Sequence, residues 1–471
     1  MMIKPFLAAL FVIATFPAHA ALEIQSWKLD NGAKVLFVEN HSIPIVDISV
    51  EFDAGARRDP DGKEGLAAMT SAMLARGLRE DRDEGNQSSM TVVAPTMTEA
   101  QISDAFADTA AQRGGGAGND RASITLRTLS SQKERDASVI LTSRLLAHPS
   151  FPAPLLERDK ARVIASIRED LTRPEAIAEK AFWRLAYGEH PYGENATVES
   201  VQGISREDLD RFHRTHYVAN RAVVSMIGDI SREQANAIAQ QITRRLPKGE
   251  PLRELADVPA PTSQQERIFH PASQAHILIG APALRRNDPD FFPLTVGNYV
   301  LGGGGFVSRL THQVREKRGL SYSVYSFFNP MAQKGPFQIG LQTQKEQADA
   351  ALEVVRETVA DYLRTGPTDA ELQAAKDNLI GGFALRIDNN RKILDHIAMI
   401  GFYDMPLDYL DHWTERVAQV TAGDIRAAFN RTISQDKLAT VVVGVGPAVT
   451  PASVPAAAPP AASNPVAVPA Q

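Results

Sequence analysis

The chain repeats itself, and that repeat limits the folds open to it. SREDLDRFHRTHYVANRAVVSMIG (205–228) and TAGDIRAAFNRTISQDKLATVVVG (421–444) share an acidic helix start, a Phe-x-Arg-Thr core and an apolar strand ending in glycine. Phe212 and Phe429 lie 217 residues apart, Gly228 and Gly444 216. A second pair, FPAPLLERDKARVIASI from Phe151 and GPTDAELQAAKDNLIGG from Gly366, keeps the register, with Lys160 and Lys376 216 residues apart. One match between amphipathic helices is within reach of chance. Two at one offset point to a duplicated unit of about 210 residues, well beyond solenoid periods.

Each copy reads as strands followed by helices. KVLFVEN, IVDISVEFDAG, ASITLRTL and AVVSMIGD have strand patterns; GLAAMTSAMLARG, DASVILTSRLLAHP, PLLERDKARVIASIREDL and EAIAEKAFWRLAYG have helical ones. The second half runs similarly from AHILIGAPA to LATVVVGVG. The expected class is α+β: two homologous α/β units, each a mostly antiparallel sheet covered by helices. PKGEPLRELADVPAPT reads as a linker at 247–262, between units at 21–246 and 263–446. The uncharged Pro/Ala stretch 447–471 holds too little to bury and is expected to be a disordered tail.

Residues 1–20 carry Lys4, an apolar run from Phe6 to Phe16 and an Ala18-His19-Ala20 cleavage pattern, which predicts a signal peptide, a mature chain from Ala21 and a periplasmic location. An uncleaved anchor is the other reading of that run. No later stretch has the length of apolar sequence that a spanning helix needs. A net charge of -6 and 7% aromatic residues leave no basic or stacking surface for nucleic acid. The chain has no cysteine, so disulfides, thiol nucleophiles and thiolate metal sites are excluded.

Three motif regions bear on chemistry. In GLAAMTSAML (65–74), Leu66, Met69 and Met73 form a core-facing helical stripe. His213 and His216 have i, i+3 spacing beside Glu207, but the repeat at Phe429-Asn430-Arg431-Thr432 lacks histidine, so they read as a structural helix end; solitary His190 and His41 read as hydrogen-bonding residues. In LGGGGFVSRLTHQVREKRGLSYSVYSFF, Phe306, Leu310 and Val314 fall on one helical face, Gly319 suits a helix stop, and SYSVYSFF suits a strand. On spacing alone, Arg315 is equally a cation at a helix C-terminus and Tyr322 a strand aromatic. No phosphate-binding loop, dinucleotide fingerprint or serine nucleophile elbow is present.

VLFVENHSIPIVDISVEFDAGARRDPDGKEGLA, GEHPYG, LGGGGFVSRL and REKRGLSYSVYS together resemble the pitrilysin or insulinase-like family of inverted-motif zinc peptidases, which includes the mitochondrial processing peptidases; the similarity runs from about Leu22 to Val445. The resemblance implies that the helix after Gly65 should carry H-x-x-E-H, two imidazoles on one face gripping zinc with a glutamate base between them. Those positions are Ala68, Ser71 and Ala72, and the third ligand falls at Ala165 or Ser166, with the insertion Glu80–Thr96 blurring that alignment. None of them supplies a ligand or a base. The resemblance also implies that Arg315 and Tyr322 converge on the scissile carbonyl, and that Gly302, Gly303, Gly304 and Gly305 line the substrate cavity or relieve close packing. It therefore implies a subunit without metal or cofactor of its own, paired with a homologous subunit that holds the intact motif and zinc, and acting on a peptide substrate. The alternative is an inactive structural or peptide-binding homologue.

Overall fold

The computed structural model describes residues 22–82 and 93–445. The leader at 1–20, the tail at 447–471 and the middle of the insertion lie outside the described residues; its flanks, Asp81–Arg82 and Val93–Ala94, pair antiparallel.

The first large sheet contains β1 (Gln25–Lys28), β2 (Lys34–Glu39), β3 (Ile45–Phe52), β4 (Gln112–Ala117), β5 (Ala122–Leu129) and β6 (Val223–Gly228), in the order β1-β2-β6-β3-β5-β4. The second contains β7 (Gln265–Phe269), β8 (Gln274–Leu284), β9 (Val324–Phe328), β10 (Gly335–Gln344) and β11 (Ala439–Gly444), in the order β7-β11-β8-β10-β9. Apart from β1, the two orders superimpose strand for strand. The senses do too: β2 runs parallel to β6 as β7 runs parallel to β11, and the remaining pairs are antiparallel. The duplication inferred from two short matches thus extends through both sheets.

Alternation along the strands shows what covers each face. In β2, Val35 and Phe37 pack into a core with Leu66, Met69 and Phe212, all from the first half. Leu36 and Val38 point the other way, into the core that holds Ile393 and Ile397 of helix Asn390–Phe402, from the second half. Gly401 sits so close to the sheet that a Cβ there would meet Leu36 and Val223 carbons at 2.6 Å. The second sheet mirrors this: Val442 of β11 joins its own half's core, while Val441 and Val443 pack with Leu278 against Ala178 and Phe182 of helix Pro174–Tyr187, from the first half. The halves have exchanged helices at equivalent positions. Strands buried on both faces read as continuous apolar runs such as VVSMIG.

Polar contacts fix the same junction. Buried Asp120 accepts hydrogen bonds from the Tyr192 and Tyr403 hydroxyls and from the Ala332 amide, the last two at 2.8 Å. The 247–262 stretch has no helix or strand and is tied down locally: the Gly249 amide donates to Asn220 Oδ1 at 2.8 Å, and Arg58 donates to the Arg253 carbonyl at 2.6 Å. No helix among the described residues is long and apolar enough to cross a membrane.

Candidate functional site

The emptied helix, Leu66–Met73, is aimed by its N-terminus. Gly65 takes φ 100°, and the amides of Gly65 and Ala67 donate to the two carboxylate oxygens of Asp59 at 2.7 Å each. Burial pushes the Asp59 carboxyl up to about 7. Leu66, Met69 and Met73 are buried, which leaves Ala68 and Ala72 exposed and Ser71 partly exposed on the opposite face. Metal-binding imidazoles at those positions would therefore project away from the core, but methyl groups have no lone pairs to offer.

The helix that should bring the third ligand, Ala153–Asp170, is held to the first by charge. Arg76 Nε donates to Asp159 Oδ2 at 2.7 Å and Arg158 Nε to Asp159 Oδ1 at 3.1 Å, while Glu99 bridges the same two arginines. Burial pushes the Asp159 carboxyl up, but these hydrogen bonds win and hold it below its ordinary range. Ala165 and Ser166 are exposed further along that helix. Among the described residues no cluster of three histidine, cysteine, aspartate or glutamate side chains is placed to hold a metal. The donor set does not fit zinc.

The four histidines that the sequence singles out each have a hydrogen-bond partner. His213 Nε2 bonds the Leu146 carbonyl at 2.7 Å and His216 Nδ1 the Asp53 carbonyl at 2.9 Å; burial lowers both rings to about 4, so they are neutral donors at pH 7. His190 accepts from the Tyr192 amide at 3.1 Å, and exposed His41 sits between Asp229 and Glu39 at 2.6 and 2.8 Å.

The second-half segment differs from the regular helix that its spacing predicts. Two wide π-type turns, Tyr299–Gly303 and Thr311–Glu316, flank a short 3₁₀ turn at Gly305–Val307. Leu310 and Val314 are fully buried, but Gly305 takes φ 61° and swings Phe306 outward, so the predicted face is broken at its first residue. Gly319, also at φ 61°, donates its amide to the Arg315 carbonyl at 2.9 Å and ends the turn. The strand starts at Val324, so Tyr322 lies on the connecting loop, 84% exposed. Single π-turns inside helices are uncommon and recur at functional sites.

Here the structure brings together what spacing left open. The Arg315 guanidinium lies 4.7 Å from the Tyr322 ring centroid and 4.7 Å from that of Phe306, between two exposed rings. Among the described residues neither the Arg315 nor the Tyr322 side chain has a hydrogen-bond or ion-pair partner. Both contacts are to ring faces, and no acceptor among the described residues takes up the guanidinium N–H donors. Gly302, Gly303 and Gly304 are closely packed: a Cβ would meet Ser326 Oγ at 2.4 Å, Asn298 Nδ2 at 2.6 Å and the Tyr299 carbonyl at 2.6 Å, respectively.

Two features escape the sequence reading. Phe306, the second wall of the arginine sandwich, is signalled only by the glycine before it. The other is β4, QRGGGA, whose exposed outer edge closes the first sheet beside helix Leu66–Met73. Glycine is a poor strand former, which hides the strand from pattern reading.

Residues 203–379 match the family described as the peptidase M16 inactive domain. The crystal structure of a peptidase M16 inactive domain from Pseudomonas fluorescens is similar with a TM-score of 0.82, 35% identity, and coverage of 90% of this chain and 98% of that one. The non-peptidase homolog YmxG of Helicobacter pylori is 25% identical over 408 residues, 84% of this chain and 88% of its own length. An uncharacterized zinc protease of Streptomyces coelicolor is 27% identical over 296 residues, 60% of this chain; the match spans 64% of that relative, less than two thirds of it.

Proposed function

On the premise that this chain belongs to the M16, or pitrilysin, peptidase family as one of its inactive members, we propose that it is the non-metal subunit of a heterodimeric peptidase. Its partner is a homologous chain with an intact H-x-x-E-H motif, which holds the zinc and the base. This subunit positions the peptide and lends Arg315 and Tyr322 to the partner's site, in the periplasm, where its leader directs it.

The observation that carries the reading is the Arg315 sandwich. The guanidinium is held by Phe306 and Tyr322, yet spends none of its donors on the described residues of the chain. A carbonyl oxygen gaining negative charge is the acceptor such a pre-set group suits, with the Tyr322 hydroxyl as second donor. One such donor is worth on the order of 10² to 10³ in rate.

The test is a quenched-fluorescent peptide assay on the isolated chain, on its partner, and on the mixture. Cleavage is expected only in the mixture. Arg315→Ala is expected to lower turnover while size-exclusion chromatography shows unchanged assembly, and full activity of that variant in the mixture would remove the assigned role.

The exposed edge of β4 supports a second reading, a peptide-binding protein with no part in catalysis. An extended peptide can add to an open sheet edge through backbone hydrogen bonds. In that case the isolated chain binds extended peptides and no mixture cleaves them.

A further inference from the structure

The junction of the two halves carries a cleft of about 480 Å³, within the size range of small-molecule sites. Its wall is basic: the lining carries Lys28, Lys34, Arg57, Arg221, Arg285 and Arg286 against two carboxylates, Asp53 and Asp404, with Asp120 within 3.4 Å of Arg57 and Asp257 beside Arg285 just outside it. That concentration is out of keeping with a chain of net charge -6.

The carboxylates are already taken. Asp53 receives Arg58 at 2.6 and 3.0 Å and Arg57 at 3.0 Å, and Asp404 receives Lys34 at 2.6 Å. Arg285 pairs with Asp257. Arg221 and Arg286 have no carboxylate partner among the described residues. The Arg221 Nη atoms donate to the Thr215 and Glu250 carbonyls, and the Nε atoms of Arg57, Arg221 and Arg286 are all buried without an acceptor. Arg286 lies 5.4 Å from the Tyr403 ring centroid, and Arg121 lies 5.9 Å from the same one. Arg286 and Arg121 also line an adjoining cavity of about 450 Å³. Burial, with Arg121 nearby, pushes the Arg286 guanidinium below the usual arginine range.

Charges taken out of water are expensive unless paired. This junction has spent its carboxylates and, among the described residues, still holds two guanidinium groups without one, Arg221 and Arg286, so it is short of negative charge. We infer that the cleft binds a compact multivalent oxyanion, of the pyrophosphate or tricarboxylate class, with Arg286 and Arg221 as its principal donors. The planar fork of arginine suits such oxygens. Because the wall combines Arg57 and Arg221 from the first half with Arg286 and Tyr403 from the second, a bound anion joins the halves and stabilises the fold by linkage. The inference stands apart from the peptidase role.

The experiment is isothermal titration calorimetry on the purified full chain at low ionic strength, with pyrophosphate and citrate as separate arms and sodium chloride of matched ionic strength as control. One-to-one binding of either anion is expected; the stronger arm identifies a phosphate or carboxylate ligand. Arg286→Met is expected to weaken that binding at least tenfold while leaving the melting temperature of the anion-free protein equal or higher, since an unpaired cation has been removed. If Arg286→Met does not fold, Arg221→Gln is read in its place, with the same tenfold loss. Binding no stronger than chloride, or folded variants that bind like the wild type, would overturn the inference.

Discussion

Phe182 tests the exchanged helices, which set how the two halves stand. Its side chain is fully buried on helix Pro174–Tyr187, in the first half, but packs against Leu278, Val441 and Val443 of the second sheet. The ring tip presses on the strand so closely that a Cβ at Gly280 would lie 3.0 Å from Phe182 Cζ. Phe182→Ala removes the ring, and Gly280 has no side chain to move into the space. The cavity should persist, placing the cost toward the upper part of the roughly 3–5 kcal/mol typical of buried Phe→Ala changes. Hydrogen exchange read strand by strand is the suitable assay, since a protein of this size need not unfold in two states. Protection is expected to fall first in β8 and β11, which are distant in sequence from the substitution. A loss confined to the first sheet, or a destabilisation below about 1 kcal/mol, would refute the packing argument.

Further outcomes follow from the site. Arg315→Ala gives up two cation–π contacts worth about 0.5–1 kcal/mol each, so its melting curve should move little while turnover of the mixed complex falls on the order of 10² to 10³; Tyr322→Phe keeps the ring and separates hydroxyl donation from stacking in the same kinetic assay. Asp59 has a folded pKa of about 7 against an ordinary 3.8, so the folded protein holds that proton more tightly than the unfolded chain does. Its stability contribution is full below about pH 4 and is lost as pH rises through about 7; Asp59→Asn should flatten that part of the melting-temperature profile. Ala68→His combined with Ala72→His places imidazoles on an exposed face, so the variant should fold within about 0.5 kcal/mol of the wild type and gain zinc binding by titration; collapse of the fold would show that the face is not open.

The sequence revealed chemistry by subtraction more readily than it revealed geometry. Alanine at 68 and 72 excludes metal ligation by those two side chains whatever the fold, and the paired Phe212 and Phe429 segments exposed the duplication that both sheets share. The exchange of helices was not legible. VVSMIG and ATVVVG show that both faces of their strands are covered, yet nothing in EAIAEKAFWRLAYG states which sheet it covers, because both halves offer the same apolar surface. Around Arg315, the i, i+4, i+8 spacing of Phe306, Leu310 and Val314 suggested a regular helix, and Gly305 at φ 61° overrode it. The same override turned Phe306 toward Arg315, a contact that no spacing rule predicts.

The central claim is that this chain contributes donors but no metal chemistry. It is tested most directly by elemental analysis of the untagged chain, purified alone and dialysed after exposure to zinc, with proteolysis measured on the same sample. The account predicts zinc well below one per chain and no chelator-sensitive cleavage. One zinc per chain accompanied by cleavage that a chelator abolishes would contradict it.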